Sequence, residues 1–182
     1  MNFKTISFFN LSLLFICFVM AWSCGNEPQP AQSTSNISLM NDSLLNYNKT
    51  VVRTEEQEIG DLINRYGWQM VKTSTGLRYM IYKHGSGEKT AKDKKVTIRY
   101  EVRLLNGDLC YSSEKMGPKV FVLGHGESEP GLEEGILLMR VGDRVKFIVP
   151  SHLAFGLLGD QDKIPSKSAI IYDIELVKII NP

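Results

Sequence analysis

The sequence is poor in the residues that build the commonest disulfide and metal sites. Its 182 residues include three cysteines, an odd number and too few for a disulfide-rich scaffold. The formal net charge is only +1, which gives no electrostatic reason to expect binding to nucleic acid. The three histidines have no metal-ligand spacing among themselves or with Cys110. They are His84, His125 and His152.

Familiar catalytic motifs are also missing. There is no Gly-x-Ser-x-Gly nucleophile elbow. Residues 85–90, GSGEKT, partly match a phosphate-binding loop but lack its Gly-Lys-Thr ending, and their place between two predicted strands favours a turn. An enzyme with this sequence would have to work without a metal, a nucleophile or a general base.

The N-terminal segment has the pattern of an export signal. The run 6–22 is almost wholly apolar and follows the basic residue Lys4, and it is barely as long as the roughly 20 residues that span a bilayer. The small residues Ala21 and Ser23 lead directly to Cys24. These features predict a secretory signal over residues 1–23.

The end of this segment resembles a bacterial lipobox, which implies cleavage before Cys24 and a diacylglycerol thioether on its sulfur. Two or three acyl chains anchor a protein stably. We therefore expect a protein of the bacterial cell envelope, held on a membrane and facing the periplasm or the surface. Cys17 would leave with the signal, so that Cys110 remains as the one free thiol. The alternatives are an uncleaved N-terminal membrane helix and a soluble secreted product.

A tether and a helix are predicted next. Residues 24–50 are rich in Asn, Ser, Gln and Pro, which predicts a flexible tether. Residues 51–75 are predicted to hold a helix and a connector, because Thr54-Glu55-Glu56-Gln57 fits a capping box that begins at Thr54. One helical face follows, formed by Ile59, Leu62, Ile63 and Tyr66. This face either docks on the domain that follows or pairs with a second chain in a homodimer.

Alternating apolar residues over 76–182 predict antiparallel strands. The clearest strand is 96–104, where Val96, Ile98, Tyr100, Val102 and Leu104 alternate with polar residues. Asn106-Gly107 follows and predicts a hairpin turn. Four further strands are predicted at 77–81, 109–112, 144–150 and 169–180, and a short extended segment is predicted at 119–123.

One short helix interrupts the strands. Pro130 is suited to its first turn, and Leu132, Ile136 and Met139 share one face. The predicted fold is therefore α+β: a curved five-stranded antiparallel sheet wrapped on one short helix, with an additional N-terminal helix. We expect an apolar hollow between the sheet and the short helix.

Residues 76–182 resemble the FK506-binding type of peptidyl-prolyl cis–trans isomerase. The order and spacing of several short segments carry this resemblance. They are Thr75–Tyr79, Val96–Tyr100, Asn106-Gly107, Ser112-Ser113, Leu123-Gly124, Pro130–Gly135, Met139–Asp143, Ile148–Ser151, Leu153–Gly156, Ile164-Pro165 and Asp173–Leu176. The lipobox and the N-terminal helix are similar to those of gliding-motility-associated lipoproteins of the family. The resemblance implies an isomerase that needs no cofactor.

The resemblance also implies roles for individual residues. Tyr100, Phe121 and Tyr172 would be aromatic walls of the proline pocket, with Leu132 at its floor. Ile164 would lie on a flap, where its backbone N–H binds the carbonyl of the bound peptide. Phe155 would stand where the family usually has a tyrosine.

Several further positions depart from the family pattern. Cys110 replaces a wall phenylalanine, and Tyr111 replaces an aspartate that accepts hydrogen bonds. Lys119 or Val120 falls where another wall phenylalanine is common. Ser128 and Glu129 replace the apolar pair before the short helix. The pocket should keep its frame and lose polar and aromatic contacts.

Two functions follow from this reading. The first is an envelope-anchored isomerase that acts on the X-Pro segments of exported proteins and assists their folding. The second is a proline-peptide binding or chaperone module with weak or incidental turnover. Acidic residues at the start of the short helix should favour peptides with basic residues near the proline. They are Glu127, Glu129, Glu133 and Glu134.

Overall fold

The computed structural model describes residues 34–180. The chain divides into two compact units, residues 1–45 and 46–182. Of the first unit, the structure describes residues 34–45, which are helical. The sheet and the predicted pocket residues all belong to the second unit. The predicted signal over 1–23, the anchor at Cys24 and residues 24–33 of the predicted tether lie outside the described residues.

Helix α1, Thr34–Tyr66, begins well before the predicted start. The prediction of a flexible tether is therefore wrong for residues 34–50, and Thr54 is not a helix cap. The Thr54 hydroxyl instead donates a 3.0 Å hydrogen bond to the carbonyl of Thr50, as a hydroxyl within a helix can. No proline or glycine lies between Pro30 and Gly60, so nothing in this stretch breaks a helix. Over residues 34–180, no helix has the length and hydropathy that a membrane span requires.

Within residues 34–180, seven antiparallel strands form one sheet in the order β1-β2-β6-β7-β3-β4, with β5 also paired to β3. The strands are β1 Val71–Lys72, β2 Arg78–Lys83, β3 Lys95–Leu104, β4 Leu109–Ser112, β5 Lys119–Val122, β6 Arg144–Val149 and β7 Ile170–Ile180. The other helices are α2 Ser113–Met116 and α3 Pro130–Ile136, and a 3-10 turn spans Ser151–Leu153.

The strand count exceeds the predicted five for two structural reasons. Strands β4 and β5 pair with successive parts of the same edge of β3, at Glu101–Arg103 and Lys95–Ile98. They occupy one position in the sheet and are separated by the single turn of α2. The two-residue strand β1 adds a short edge beside β2.

Helix α3 packs on one face of the sheet and completes the main core. Leu132 and Ile136 of α3 have no solvent exposure, and Met139, which was predicted on the same helical face, is equally buried but lies three residues after the helix ends. The alternation predicted for the strands is also confirmed, because alternate residues of β3, β6 and β7 point into the same cluster. They include Val96, Ile98 and Val102, then Val145, Phe147 and Val149, then Ile170, Tyr172, Ile174 and Leu176.

The opposite face of the sheet packs against the last turns of α1. Ile59 and Leu62 are buried there with Ile148, Ala169 and Ile171. Tyr66 instead remains exposed and stacks on Trp68, with ring centroids 4.8 Å apart. The sheet of this unit therefore has a helix on each face.

Candidate functional site

An open hollow of about 460 Å³ lies where β3, β4 and β7 meet the segments before β5 and α3. Its position follows from strand pairing, since Val102 of β3 is opposite both Tyr172 of β7 and Tyr111 of β4. The residues that line it are Tyr100, Val102, Tyr111, Met116, Gly117, Pro118, Lys119, Glu129, Phe155, Asp160 and Tyr172. The lining is thus largely aromatic and aliphatic, and its charged side chains are those of Lys119, Glu129 and Asp160.

Four aromatic side chains contribute to the lining, and they belong to Tyr100, Tyr111, Phe155 and Tyr172. Tyr172 is 3% exposed, whereas Tyr100 and Phe155 are half-buried. Burial, with the Glu129 carboxylate nearby, raises the pKa of Tyr172 well above its usual value and raises that of Tyr100. Both phenols therefore stay neutral and can act as hydrogen-bond donors.

Phe121 and Leu132 lie in the core rather than on the surface of the hollow. They are 2% and 0% exposed and belong to the same hydrophobic cluster as Tyr172. Phe121 is opposite Val96 in the β3–β5 pairing, which turns its ring inward. Their predicted contact with a peptide stays a prediction.

A charged pair stands in the wall beside the aromatic rings. The Lys119 ammonium lies 3.3 Å from Glu129 Oε2 and donates a 2.7 Å hydrogen bond to Ser128 Oγ. The Ser128 hydroxyl in turn donates to Glu129 Oε2 at 2.6 Å. Burial acts to raise the pKa of Glu129, but Lys119 and Ser128 outweigh it, so that pKa lies below its usual range. Ser128 and Glu129, which replace an apolar pair of the family pattern, thus belong to a polar cluster in which the Glu129 carboxylate is ionised.

Strand alternation decides between Lys119 and Val120. Lys119 lines the hollow, whereas Val120 points away and is 48% exposed. Because adjacent residues of a strand face opposite sides, Val120 lies outside the hollow, and its predicted contact with substrate stays a prediction.

The loop after Phe155 is organised by Asp160, which the sequence analysis did not identify. Asp160 Oδ1 accepts the backbone N–H groups of Asp162 at 3.0 Å and Ile164 at 2.7 Å. The Tyr111 hydroxyl donates to Asp160 Oδ2. Burial acts to raise the pKa of Asp160, but these donors lower it below its usual range. The Gly159-Asp160 pair is a turn signal that could have indicated this role.

Ile164 is not free to bind a peptide as predicted. Its backbone N–H is already bonded to Asp160, and its side chain is 2% exposed in the core. A peptide carbonyl could take that N–H only by displacing a charged acceptor. The predicted role of this group is therefore at odds with the geometry.

Cys110 contributes packing rather than a reactive surface. It is 7% exposed, and its Sγ lies 3.8 Å from the carbonyl oxygens of Asp108 and Lys163. Burial raises the pKa of the thiol, which disfavours the nucleophilic thiolate. Tyr111, in contrast, lines the hollow at the next position along β4.

The four acidic residues near α3 do not form one acidic patch, because their side chains bind different partners. Glu127 and Glu133 accept the backbone N–H groups of Val122 and Gly124, each at 3.0 Å. Glu134 accepts from the Thr75 hydroxyl. Only Glu129 of the four lines the hollow.

Comparison with known proteins agrees with the geometry. Residues 86–177 match the family model described as FKBP-type peptidyl-prolyl cis-trans isomerase. The chain is 40% identical over 111 residues to a probable FKBP-type peptidyl-prolyl cis-trans isomerase FkpA of Neisseria meningitidis, over 60% of this chain and 40% of that protein. It is 42% identical to FK506-binding protein 2 of Dictyostelium discoideum over 92 residues, which are 50% of this chain and 69% of that protein.

Solved structures show the same fold. The crystal structure of AtFKBP13 matches with a TM-score of 0.60 and 28% identity, over 62% of this chain and all of that one. A peptidyl-prolyl cis-trans isomerase of Pseudomonas syringae matches with a TM-score of 0.63 over 73% of this chain and 96% of that one. The match to the FkpA relative covers 40% of that protein's length.

Proposed function

Because the chain belongs to the family of FKBP-type peptidyl-prolyl cis-trans isomerases, we propose that it catalyses rotation about X-Pro bonds in the hollow beside Tyr172. The observation that carries the proposal is the position of that hollow, which lies within the residues that match the family and is lined by four aromatic side chains. Its volume of about 460 Å³ can hold a proline ring with its flanking peptide groups.

The chemistry requires no covalent step. The barrier of about 18–20 kcal/mol arises from amide resonance, which is lost when the bond is twisted. An apolar wall of Tyr100, Phe155 and Tyr172 would hold the proline ring and exclude water from the amide. Removing the polar planar amide from water favours the less polar twisted form, and a pocket that fits that form lowers the barrier.

The test measures the cis–trans exchange rate of a short X-Pro peptide by NMR with the purified chain. We expect exchange much faster than the uncatalysed process, which takes roughly tens to hundreds of seconds. Phe155→Ala should lower kcat/KM roughly tenfold. Tyr82→Ala is the matched control, because Tyr82 is a half-exposed ring outside this hollow. A folded protein that binds the peptide without accelerating its cis–trans exchange would contradict the proposal that the chain is an enzyme.

A proline-peptide binding or chaperone module is the second candidate. It is supported by Phe155, which has no hydroxyl, and by the Ile164 N–H, which is bonded to Asp160. Both features reduce the hydrogen bonds available to a twisted amide. Peptide affinity with negligible kcat in the same experiment would favour this function.

We also propose that the protein is lipid-anchored in a bacterial envelope and acts there on exported proteins. The support is the apolar run 6–22 followed by Ala21, Ser23 and Cys24. Metabolic labelling with radioactive palmitate tests it. We expect label in the wild type and none in Cys24→Ala, with Cys17→Ala as the matched control. Equal labelling of the wild type and Cys24→Ala would refute the anchor.

A further inference from the structure

Glu55 of α1 is a buried acid that the proposed reaction does not use. It is 8% exposed, and its Oε1 accepts the backbone N–H of Ser151 at 2.7 Å. Glutamate is almost never this buried unless it is paired. Here its partner is the first residue of the 3-10 turn, whose N–H has no acceptor within the turn itself.

Ser151 connects this contact to the pocket wall. Its carbonyl accepts the backbone N–H of Ala154 at 3.1 Å and that of Gly156 at 2.8 Å. These are the two residues on either side of Phe155, which lines the hollow. The peptide groups of Ser151 thus join Glu55 on one side to both neighbours of Phe155 on the other.

The helix that carries Glu55 is itself held in place. Ile59 and Leu62, one and two turns further along α1, are buried against the sheet. Glu56 Oε1 accepts from Arg78 Nη2 at 2.5 Å and from Lys72 Nζ at 2.8 Å. Glu55 is therefore a fixed acceptor, and the turn that precedes Phe155 is bonded to it rather than to solvent.

We propose that Glu55 is a positioning residue for the proline pocket, acting through Ser151 on the loop that carries Phe155. The proposal rests on the proposed function, since that function makes Phe155 a wall of the pocket. Without the carboxylate, the Ser151 N–H loses its acceptor and the turn can relax. The conformation that binds the peptide is then less populated, and the apparent affinity falls by the same fraction.

The experiment compares Glu55→Ala, Glu55→Asp and Glu55→Gln with Glu58→Ala, a matched control in an exposed glutamate of the same helix. Hydrogen exchange by NMR follows the amides of Ser151, Ala154 and Gly156. Binding and turnover of an X-Pro peptide are measured on the same samples, well below the melting temperature.

We expect Glu55→Ala to speed exchange at these three amides and to weaken peptide binding roughly tenfold, mainly through KM. Glu55→Asp should do the same, because its carboxylate is one methylene short; it replaces Glu55→Ala if that variant does not fold. Glu55→Gln should stay near the wild type, because its amide oxygen still accepts the N–H. Glu58→Ala should change nothing.

The proposal is overturned if a folded Glu55→Ala or Glu55→Asp leaves exchange at Ala154 and Gly156 unchanged. It is also overturned if exchange rises equally at Ile148 and Ile171, because that result would show a general role in helix docking. A wild type without turnover or peptide binding would contradict the proposed function, whereas the exchange pattern would still decide whether Glu55 holds the loop.

Discussion

The Lys119 ammonium lies 3.3 Å from Glu129 Oε2, in the wall of a hollow that also holds Tyr100 and Tyr172. The side chains of the pair are 31% and 11% exposed. A partly buried ion pair is stabilising only while both partners are present, because a single buried charge loses its hydration without compensation. The wall of the pocket thus combines an aromatic surface with an ion pair in which each charge compensates for the burial of the other.

Removing one partner of this pair should destabilise the protein more than removing both. We expect Lys119→Met to lower the free energy of unfolding by about 1–3 kcal/mol, because it leaves the partly buried Glu129 carboxylate without its cationic partner. Lys119→Met with Glu129→Leu should recover most of that loss. Urea denaturation of the single and double variants measures the coupling. If the double variant loses as much stability as the two single variants combined, the two charges do not compensate for each other.

Stability should fall in acid through the pocket carboxylates. The pKa values of Glu129 and Asp160 are lower in the folded protein than their ordinary values of 4.5 and 3.8. Their contribution to stability is therefore present above those values and is lost as pH falls through the lower folded values. Between pH 7 and pH 3, Glu129→Gln should show a smaller fall in the urea midpoint than the wild type. Glu58→Gln is the control, and an identical fall in all three proteins would contradict the prediction.

A hydroxyl added to Phe155 should increase turnover. Phe155 lines the hollow and is half-buried, so Phe155→Tyr can direct a donor toward a bound peptide. We expect kcat/KM to rise by up to about tenfold, the effect of one hydrogen bond. Phe121→Tyr is the matched control, since Phe121 is 2% exposed and its added hydroxyl would be buried. That control should lose stability without gaining rate, and an unchanged kcat/KM for Phe155→Tyr would argue against a missing donor.

Two helical glycines should respond in opposite ways to alanine. A Cβ at Gly135 of α3 would come within 2.7 Å of the buried Phe147 ring, so Gly135→Ala should destabilise by about 1–3 kcal/mol. A Cβ at Gly60 of α1 meets nothing within 4 Å, so Gly60→Ala should stabilise by about 0.5–1 kcal/mol. Thermal unfolding measures both, and a stabilised Gly135→Ala would show that α3 can move away from the sheet.

Docking of α1 should contribute to the stability of the second unit. Ile59 is 1% exposed against Ile148, Ala169 and Ile171. We expect Ile59→Ala to cost about 2–5 kcal/mol in the free energy of unfolding, because it removes packing and leaves a cavity. Val52→Ala, at a position 58% exposed on the same helix, should have little effect. Equal small effects would indicate that the helix docks weakly.

Local pattern was a reliable guide to the sheet and to α3. The alternation in β3, β6 and β7 predicted which side chains enter the core, and Asn106-Gly107 marked the turn after β3. Helix α1 shows the limit of such signals. The capping box at Thr54 was a plausible start, but a helix continues through any good cap when the preceding residues also tolerate helical geometry.

The resemblance to the family predicted a shared pocket for several residues. Five of them line the hollow in the structure, namely Tyr100, Tyr111, Glu129, Phe155 and Tyr172. The resemblance could not choose between Lys119 and Val120, because that choice depends on the register of β5 against β3. It also did not indicate that the Ile164 N–H would be bonded to Asp160. Such contacts depend on loop geometry, which varies between proteins with the same strands.

Side-chain periodicity in the sequence was sufficient to predict the α+β class and the buried faces of the long strands, because periodicity is a local property of the chain. Of the three aromatic walls that the family motifs implied, Tyr100 and Tyr172 line the hollow, whereas Phe121 lies in the core. The three-dimensional packing was needed to show that Lys119 pairs with Glu129 and that Glu55 contacts Ser151, which is 96 residues away along the chain. Contacts between distant segments depend on how helices and sheet pack, and no pattern within either segment records the identity of its partner.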